Sequence, residues 1–332
     1  MKSKLLLLFA GGTIGMIHNP QTNALEPAQS AVVLLEQIPE LADVADIDFQ
    51  MVINLDSSNM NPTHWSMIAE RIHEHYDLYD GFVVIQGTDT MAYSASALSF
   101  ALQNTTKPVV FTGSLIPLRE MGSDARNNLV YACMTASLDI AEVCIVLSNT
   151  ILRANRAKKH HESFVAAFHS PNFPALGELG RPIVLRDWCK RRHEGNMQFH
   201  KDFDASIALI KLFPGFDPRV FEHMIGSDVH AVIIEGFGPG NVPFLDHSVI
   251  PYIKKMVDSN VAVIISNQME HGKTSLKSYE AGLRAYEVGA VGSGDMTNES
   301  VITKLMWALP QYKQVDEICR IMQTDVAGEI TS

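Results

Sequence analysis

The chain has 332 residues, of which 46% are hydrophobic and 19% are charged. This composition is typical of a well-packed globular protein, and the length favours two domains over one. The formal net charge of -11 argues against a nucleic-acid-binding protein, because such a protein needs a basic surface to neutralise phosphates. No segment approaches the roughly 20 apolar residues of a membrane span. We therefore expect neither a nucleic-acid nor a membrane partner.

The cysteines predict free thiols and no structural zinc. They are Cys133, Cys144, Cys189 and Cys319. No two of them form a Cys-x-x-Cys pair, and none has a histidine at metal-ligand spacing. The apolar run after Lys2 and Lys4 is about six residues long, shorter than the roughly 7–15 residues of a signal-peptide core. We expect a first buried strand there and a cytoplasmic, reducing location.

Short apolar runs rich in β-branched residues alternate with longer segments of helical periodicity. In chain order, the runs predict strands at residues 5–10, 81–86, 108–112, 142–148, 206–212, 231–235 and 261–266, and the periodic segments predict helices at 62–76, 90–103 and 125–138. Polar residues do not interrupt the runs, as is typical of parallel strands covered by helices on both faces. This pattern predicts an α/β fold with a doubly wound, mostly parallel sheet.

One segment departs from the alternation. Residues 186–204 are polar and basic and lack an apolar stripe. The sequence therefore predicts a larger N-terminal domain at 1–187. A linker at 188–205 and a smaller C-terminal α/β domain at 206–332 would follow.

Two predicted strands end in glycine followed by threonine. The first runs into Gly11-Gly12-Thr13 and the second into Gly87-Thr88-Asp89-Thr90. The carboxyl ends of parallel strands converge on a crevice where ligands bind, so these threonines are candidates for one site. A phosphate cradle is the rival interpretation of the first turn, but neither nucleotide-binding fingerprint is met. A second alternative interpretation is a tight turn that has no chemical role.

Further segments extend the pattern along nearly the whole chain. They are Asp56-Ser57-Ser58-Asn59-Met60, Thr112-Gly113-Ser114, Asn155-Arg156-Ala157-Lys158-Lys159, Ser170-Pro171-Asn172, Gly294-Asp295-Met296-Thr297 and Thr303-Lys304-Leu305. Together with the two glycine-threonine turns, and in this order, they resemble the L-asparaginase family. Within that family the chain resembles the bacterial type I, cytoplasmic branch.

The resemblance implies hydrolysis of L-asparagine to L-aspartate and ammonia, without metal or cofactor. Thr13 would be the nucleophile that forms an acyl-enzyme, and Thr88, Asp89 and Lys159 would form a relay that polarises a hydroxyl or the attacking water. A hydroxyl is a poor nucleophile until a neighbour takes its proton. Burial of Lys159 would favour its neutral form, whereas the nearby Asp89 would favour its charged form. The charge of Lys159 therefore stays open.

The resemblance also assigns the substrate-binding residues. They would be Asp56, Ser57, Ser58, Thr88 and Asp89. The first three match the loop that grips the substrate α-carboxylate, and Asp89 would hold the α-ammonium group. Asparagine and glutamine differ by one methylene, which a pocket discriminates by only about 1–3 kcal/mol, so their relative preference stays open.

The sequence departs from the family at three positions. The loop 18–27 contains no tyrosine, where many relatives carry one that assists the nucleophile; Ala24 or Leu25 takes its place. Some type I relatives also lack this tyrosine and are similar to this chain in having a tyrosine, matching Tyr279 here, that reaches in from a neighbouring subunit. The resemblance therefore implies that Tyr279 acts across the interface of a homodimer, which could pair into a tetramer; a packed helix tyrosine is the alternative. At the second position, Gln86 replaces the histidine usual in the family. At the third, Glu235 replaces an arginine that binds asparagine at an allosteric site in some relatives, and this replacement predicts hyperbolic kinetics in asparagine.

Two other functions compete with hydrolysis. One is that of the ammonia-supplying subunit of the glutamyl-tRNA(Gln) amidotransferase, whose core is similar but carries an added N-terminal domain; we expect no such domain here, because the first strand begins near residue 1. The other is that of an amino-acid-binding module without catalysis.

Overall fold

The structure is a computed structural model that describes residues 2–18, 25–27 and 37–331. It divides into two compact units, Met1–Lys201 and Asp202–Ser332. The division falls inside the segment 188–205, which the sequence predicts as a linker. Much of that segment packs on the first unit, since Cys189 is buried and Gln198–Phe199 pairs with Leu102–Gln103.

The first unit contains an eight-stranded sheet. Its strands are β1 (Lys4–Gly11), β2 (Asp46–Leu55), β3 (Gly81–Ile85), β4 (Val109–Thr112), β5 (Val143–Leu147), β6 (Thr150–Arg153), β7 (Gly177–Glu178) and β8 (Val184–Leu185). Their order across the sheet is β8-β7-β6-β5-β4-β3-β1-β2. The five strands from β5 to β2 in this order are parallel, whereas β6, β7 and β8 pair antiparallel.

Helices cover this sheet. They are α1 (Leu41–Val44), α2 (Pro62–Glu74), α3 (Met91–Ala101) and α4 (Ala125–Ala136). Successive side chains of a strand point to opposite faces. Leu5 and Leu7 of β1 share a core cluster with Leu129 of α4, and Leu6 and Leu8 are also buried. Both faces of β1 are therefore covered, which explains its uninterrupted apolar sequence.

The second unit repeats this arrangement on a smaller scale. Its elements are β9 (Ile207–Lys211), β10 (Ala231–Gly236), α5 (Ile250–Asp258), β11 (Ala262–Asn267), α6 (Glu280–Glu287), β12 (Val291–Gly292), α7 (Asn298–Gln311) and α8 (Val315–Met322). The four strands are parallel and lie in chain order. Val232 and Ile253 belong to one core cluster, whereas Ile233 and Leu305 belong to another, so helices pack on both faces. The predicted α/β architecture with a smaller C-terminal domain is confirmed.

The strands that the sequence does not predict include β2 and β6 and the two-residue strands β7, β8 and β12. β2 lies at the edge of the sheet, and each of its residues is partly buried or exposed. Polar residues therefore interrupt its apolar pattern, unlike that of the central strands. Within the described residues, no helix is both long and apolar enough to cross a membrane.

Candidate active site

The two glycine-threonine turns lie side by side at the end of the first sheet where its parallel strands have their carboxyl termini. β1 and β3 are parallel neighbours, with Phe9 opposite Ile85. Gly12 has φ +101, and a Cβ built there would lie 2.2 Å from the backbone nitrogen of Gly87. Only glycine adopts this conformation readily and allows such an approach. The residues immediately before Thr13 and Thr88 are therefore in backbone contact.

Thr13 begins a short 3-10 turn, Thr13–Gly15, which the Gly15 N–H closes by donating to the Gly12 carbonyl at 3.1 Å. Thr13 is partly buried, whereas Thr88 is buried and begins the matching turn Thr88–Thr90. Each threonine is thus carried on a short 3-10 turn at the carboxyl end of a central strand, where parallel sheets bind ligands.

Lys159 brings an amino group to the second turn. Its Nζ donates to Thr88 Oγ1 at 2.8 Å and to Asp89 Oδ1 at 2.5 Å. The Lys159 side chain is 14% exposed, whereas that of Asp89 is 66% exposed. The three residues of the predicted relay are therefore in direct contact. Because Asp89 faces solvent, this contact orients the lysine more than it stabilises the fold.

The position of Lys159 depends on the segment before it. Lys159 pairs with Phe168 in a two-residue antiparallel ladder. The preceding turn, Ala154–Arg156, contacts α3 and follows Arg153, whose guanidinium forms a buried bidentate ion pair with Glu142 at 2.5 and 3.0 Å. A bidentate pair fixes the orientation of both side chains. Arg153 and Glu142 therefore anchor the segment that delivers the lysine.

The segment 56–59 forms the third part of the site. Asp56 caps the 3-10 turn Ser57–Asn59, because its Oδ1 accepts from Ser58 N–H at 2.8 Å and from Ser58 Oγ at 2.6 Å. The hydroxyl bond, followed by the backbone bond, lowers the pKa of Asp56, so its carboxylate is ionised at neutral pH. An anion attracts an ammonium group and repels a carboxylate, which suits Asp56 to orienting Ser58 or meeting a substrate ammonium.

Ser57 is buried and packs against the second turn. A Cβ built at Gly87 would lie 2.7 Å from Ser57 Oγ. The Ser57 carbonyl accepts from the hydroxyl of Thr90 at 2.8 Å, and that hydroxyl accepts from Gln86 Nε2 at 3.2 Å. Thr90 has no role in the site predicted from the sequence, although the second threonine of the Gly-Thr-Asp-Thr motif was the available signal.

A third strand end contributes to the same end of the sheet. β4 ends at Thr112, and a Cβ at Gly113 would lie 2.3 Å from the Gln86 carbonyl oxygen. The Ser114 hydroxyl is buried and has no hydrogen-bond partner in the part of the chain that the structure describes. The three adjacent strands β1, β3 and β4 therefore all end in glycine-containing turns that carry hydroxyl side chains.

The structure thus gathers the predicted residues of the first unit, Thr13, Asp56, Ser57, Ser58, Thr88, Asp89 and Lys159, onto adjoining segments. Tyr279 lies in the second unit, directly before α6, and the residue is 60% exposed. Leu25 lies in the described strand Leu25–Pro27, and Ala24 lies outside the described residues.

Comparison with known proteins identifies the family. The family model described as "Asparaginase, N-terminal" matches residues 4–189, and "Glutaminase/Asparaginase C-terminal domain" matches residues 206–322. The chain is 34% identical to the L-asparaginase of Thermococcus kodakarensis over 99% of both chains, and 35% identical to L-asparaginase 1 of Escherichia coli over 99% of this chain and 98% of that one. It is also 34% identical to a subunit of the glutamyl-tRNA(Gln) amidotransferase of Thermococcus kodakarensis, covering 98% of this chain and 76% of that protein.

Comparison with solved structures supports the same family. The thermostable L-asparaginase from Thermococcus kodakarensis superposes with a TM-score of 0.91 at 34% identity, covering 99% of both chains. L-asparaginase I from Vibrio cholerae gives the same TM-score of 0.91 at 33% identity, with full coverage of both chains (100%). With both halves of the chain matched in sequence and its whole length matched in structure, the protein belongs to the asparaginase family.

Proposed function

We propose that this asparaginase-family hydrolase converts L-asparagine to L-aspartate and ammonia through an ester on Thr13. The observation that carries the proposal is the contact of Lys159 with both Thr88 and Asp89, on a turn whose glycine touches the glycine before Thr13. A nucleophile and a proton relay on adjoining turns are what amide hydrolysis requires.

In the first step, Thr13 Oγ attacks the side-chain amide carbon of asparagine. The Thr13 hydroxyl gives up its proton, the C–N bond breaks, the departing nitrogen takes up that proton and leaves as ammonia, and an aspartyl ester remains on Thr13. In the second step, a water molecule polarised by the Thr88–Asp89–Lys159 relay attacks the ester and releases aspartate. Backbone N–H groups of the glycine turns would stabilise the oxyanion, a contribution of about 3 kcal/mol per donor.

Substrate orientation follows from the charges around the site. The Ser57 hydroxyl lies on the turn that adjoins Gly87 and suits a carboxylate, whereas the single proton of the Ser58 hydroxyl is donated to Asp56. The exposed carboxylate of Asp89 suits an α-ammonium group, and Asp56 is a second anion on the Ser58 side. This zwitterion-binding arrangement supports an amino-acid amide as the substrate.

The test is steady-state release of ammonia from asparagine and from glutamine by the purified protein alone. We expect asparagine to give the higher kcat/KM, with measurable activity on glutamine, because one methylene changes binding by only about 1–3 kcal/mol. Absence of ammonia from asparagine would overturn the proposal.

A second candidate function is supply of ammonia to mischarged tRNA, and the match to the amidotransferase subunit favours it. The same assay separates the two candidates, because a hydrolase releases ammonia from asparagine without tRNA or a partner protein. A binding module would instead bind asparagine and leave it intact, which calorimetry alongside the ammonia assay would reveal.

The kinetics should be hyperbolic in asparagine. Glu235, at the position of the family's allosteric arginine, is 9% exposed, and its carboxyl group accepts a hydrogen bond from the Asn298 side chain. An acid that is already paired offers no counterion to a second α-carboxylate. We expect a Hill coefficient of about 1 from initial rates over a wide asparagine range, and a sigmoidal curve would contradict this.

Tyr279→Phe should lower kcat more than tenfold while the oligomer stays intact. The side chain of Tyr279 is exposed on the single chain, which allows it to act on a partner's site. Tyr286→Phe is the matched control, because Tyr286 lies on α6 with its ring beneath Lys277 Nζ at 4.1 Å and is expected to be silent. Light scattering would report the assembly.

Mixing subunits tests whether Tyr279 acts across an interface. A hybrid of Tyr279→Phe and Thr13→Ala subunits would contain one complete site only if the tyrosine comes from the partner. Recovered activity on mixing is expected, and full activity of Tyr279→Phe alone would remove the hypothesis.

We also propose a homodimer, able to pair into a tetramer, in the cytoplasm. The dimer is what a shared Tyr279 requires. The location is supported by the four cysteines, all of which are free and buried, because unpaired thiols are typical of a reducing compartment.

A further inference from the structure

A chain of side-chain hydrogen bonds connects the end of β3 to the segment 56–59. Gln86 is fully buried, and its Nε2 donates to Thr90 Oγ1 at 3.2 Å. The Thr90 hydroxyl donates to the Ser57 carbonyl at 2.8 Å. Two hydrogen bonds thus join a strand end, the Thr88–Thr90 turn and the Ser57–Asn59 turn.

The direction of these bonds is determined by their donors. An amide nitrogen can only donate, and a hydroxyl has a single proton. Because Gln86 donates to Thr90, the only proton of the Thr90 hydroxyl is directed at the Ser57 carbonyl. That carbonyl also accepts from the Met60 N–H at 3.0 Å, so both bonds act on one oxygen.

Ser57 is therefore held from two sides. Thr90 restrains its carbonyl, and its Oγ lies against the Gly87 α-carbon, 2.7 Å from where a Cβ would stand. The bond is partly buried, and it resists displacement to the extent that breaking it leaves a polar group shielded from water without a partner.

We propose that Thr90, oriented by Gln86, is a positioning residue that fixes Ser57 and thereby determines the affinity for the substrate α-carboxylate. This inference rests on the proposed function, in which Ser57 binds that carboxylate. Thr90 lies outside the relay, because Lys159 contacts Thr88 and Asp89 and the Thr90 proton is already used on Ser57. Its loss should therefore weaken binding more than it slows chemistry.

Thr90→Val tests this directly, since valine keeps the shape and removes the hydroxyl. We expect KM for asparagine and the inhibition constant of L-aspartate to rise about tenfold, with kcat within about twofold, as for loss of binding shared by ground and transition states. Thr90→Ser should restore wild-type KM because it restores the donor. Thr63→Val, at an exposed threonine of α2, is the matched control.

Variants of Gln86 test the direction of the proton. Gln86→His retains a ring N–H donor and should keep KM within about twofold. Gln86→Glu replaces the donor by an acceptor that competes for the Thr90 proton, and should raise KM as Thr90→Val does. If both act through one bond, the double variant should be no weaker than Thr90→Val alone.

The results separate this inference from the proposed function. Ammonia release by the wild-type protein tests hydrolysis by itself. If the wild-type protein releases no ammonia from asparagine, the proposed function and the inference about Thr90 are both refuted. If the wild type is active, the inference is overturned by an unchanged KM in Thr90→Val, or by a kcat that falls as far as kcat/KM. A lowered melting temperature with KM and kcat intact would also overturn it, because that result describes a purely structural threonine.

Discussion

Thr13→Ala should lower kcat for asparagine roughly 10⁴-fold, because the enzyme loses the oxygen that becomes acylated. Residual turnover would come from substrate binding and the backbone N–H donors of the glycine turns. Asparagine binding should survive, since the predicted binding residues lie on other segments. The melting temperature should change little, because Thr13 is only partly buried and alanine fits its turn.

Two variants make this result specific. Thr13→Ser keeps a hydroxyl and should retain activity within about tenfold of the wild type. Thr63→Ala removes an exposed threonine elsewhere in the first unit and should have no effect. Rapid acid quenching followed by mass spectrometry should find the aspartyl ester on the peptide that contains Thr13. Undiminished deamidation by Thr13→Ala would refute the acyl-enzyme mechanism.

Lys159→Met should lower kcat roughly 10³-fold. Methionine fills a similar volume but removes the Nζ that donates to Thr88 Oγ1 and Asp89 Oδ1. The Thr88 hydroxyl would then lose its orienting partner, and the Asp89 carboxylate would lose its counterion. Stability should change less than activity, because Asp89 is 66% exposed and an exposed ion pair contributes little.

Lys158→Met is the control for this prediction. Neighbouring residues of a strand point to opposite faces, so Lys158 points away from the face on which Lys159 meets Thr88. Its replacement should leave kcat within a few-fold of the wild-type value. A large loss of kcat in Lys158→Met, with little loss in Lys159→Met, would show that the relay lysine had been misidentified. Lys159→Arg adds a second distinction: arginine keeps the charge but cannot act as a base, so full activity would point to an electrostatic role.

Much of the architecture follows from local patterns. The central strands β1, β3, β4 and β5 appear as apolar runs because both of their faces are covered. Helices α2, α3 and α4 begin and end within about three residues of the segments that periodicity predicts. The edge strand β2 escapes such a prediction because its partly exposed residues are mixed in polarity.

The residue order makes Thr13 and Thr88 candidates, because each follows glycine at the end of a buried strand, but a tight turn without chemistry fits either motif alone; the resemblance of the further segments is what favours a site. The residue order also points to Lys159, but only through the resemblance, because nothing local distinguishes two adjacent lysines. Their opposite directions on a short strand become decisive only when Thr88 lies within hydrogen-bond reach. The bond from Thr90 to Ser57 likewise joins residues 33 positions apart, and such contacts exist only once the sheet brings separate turns to one end.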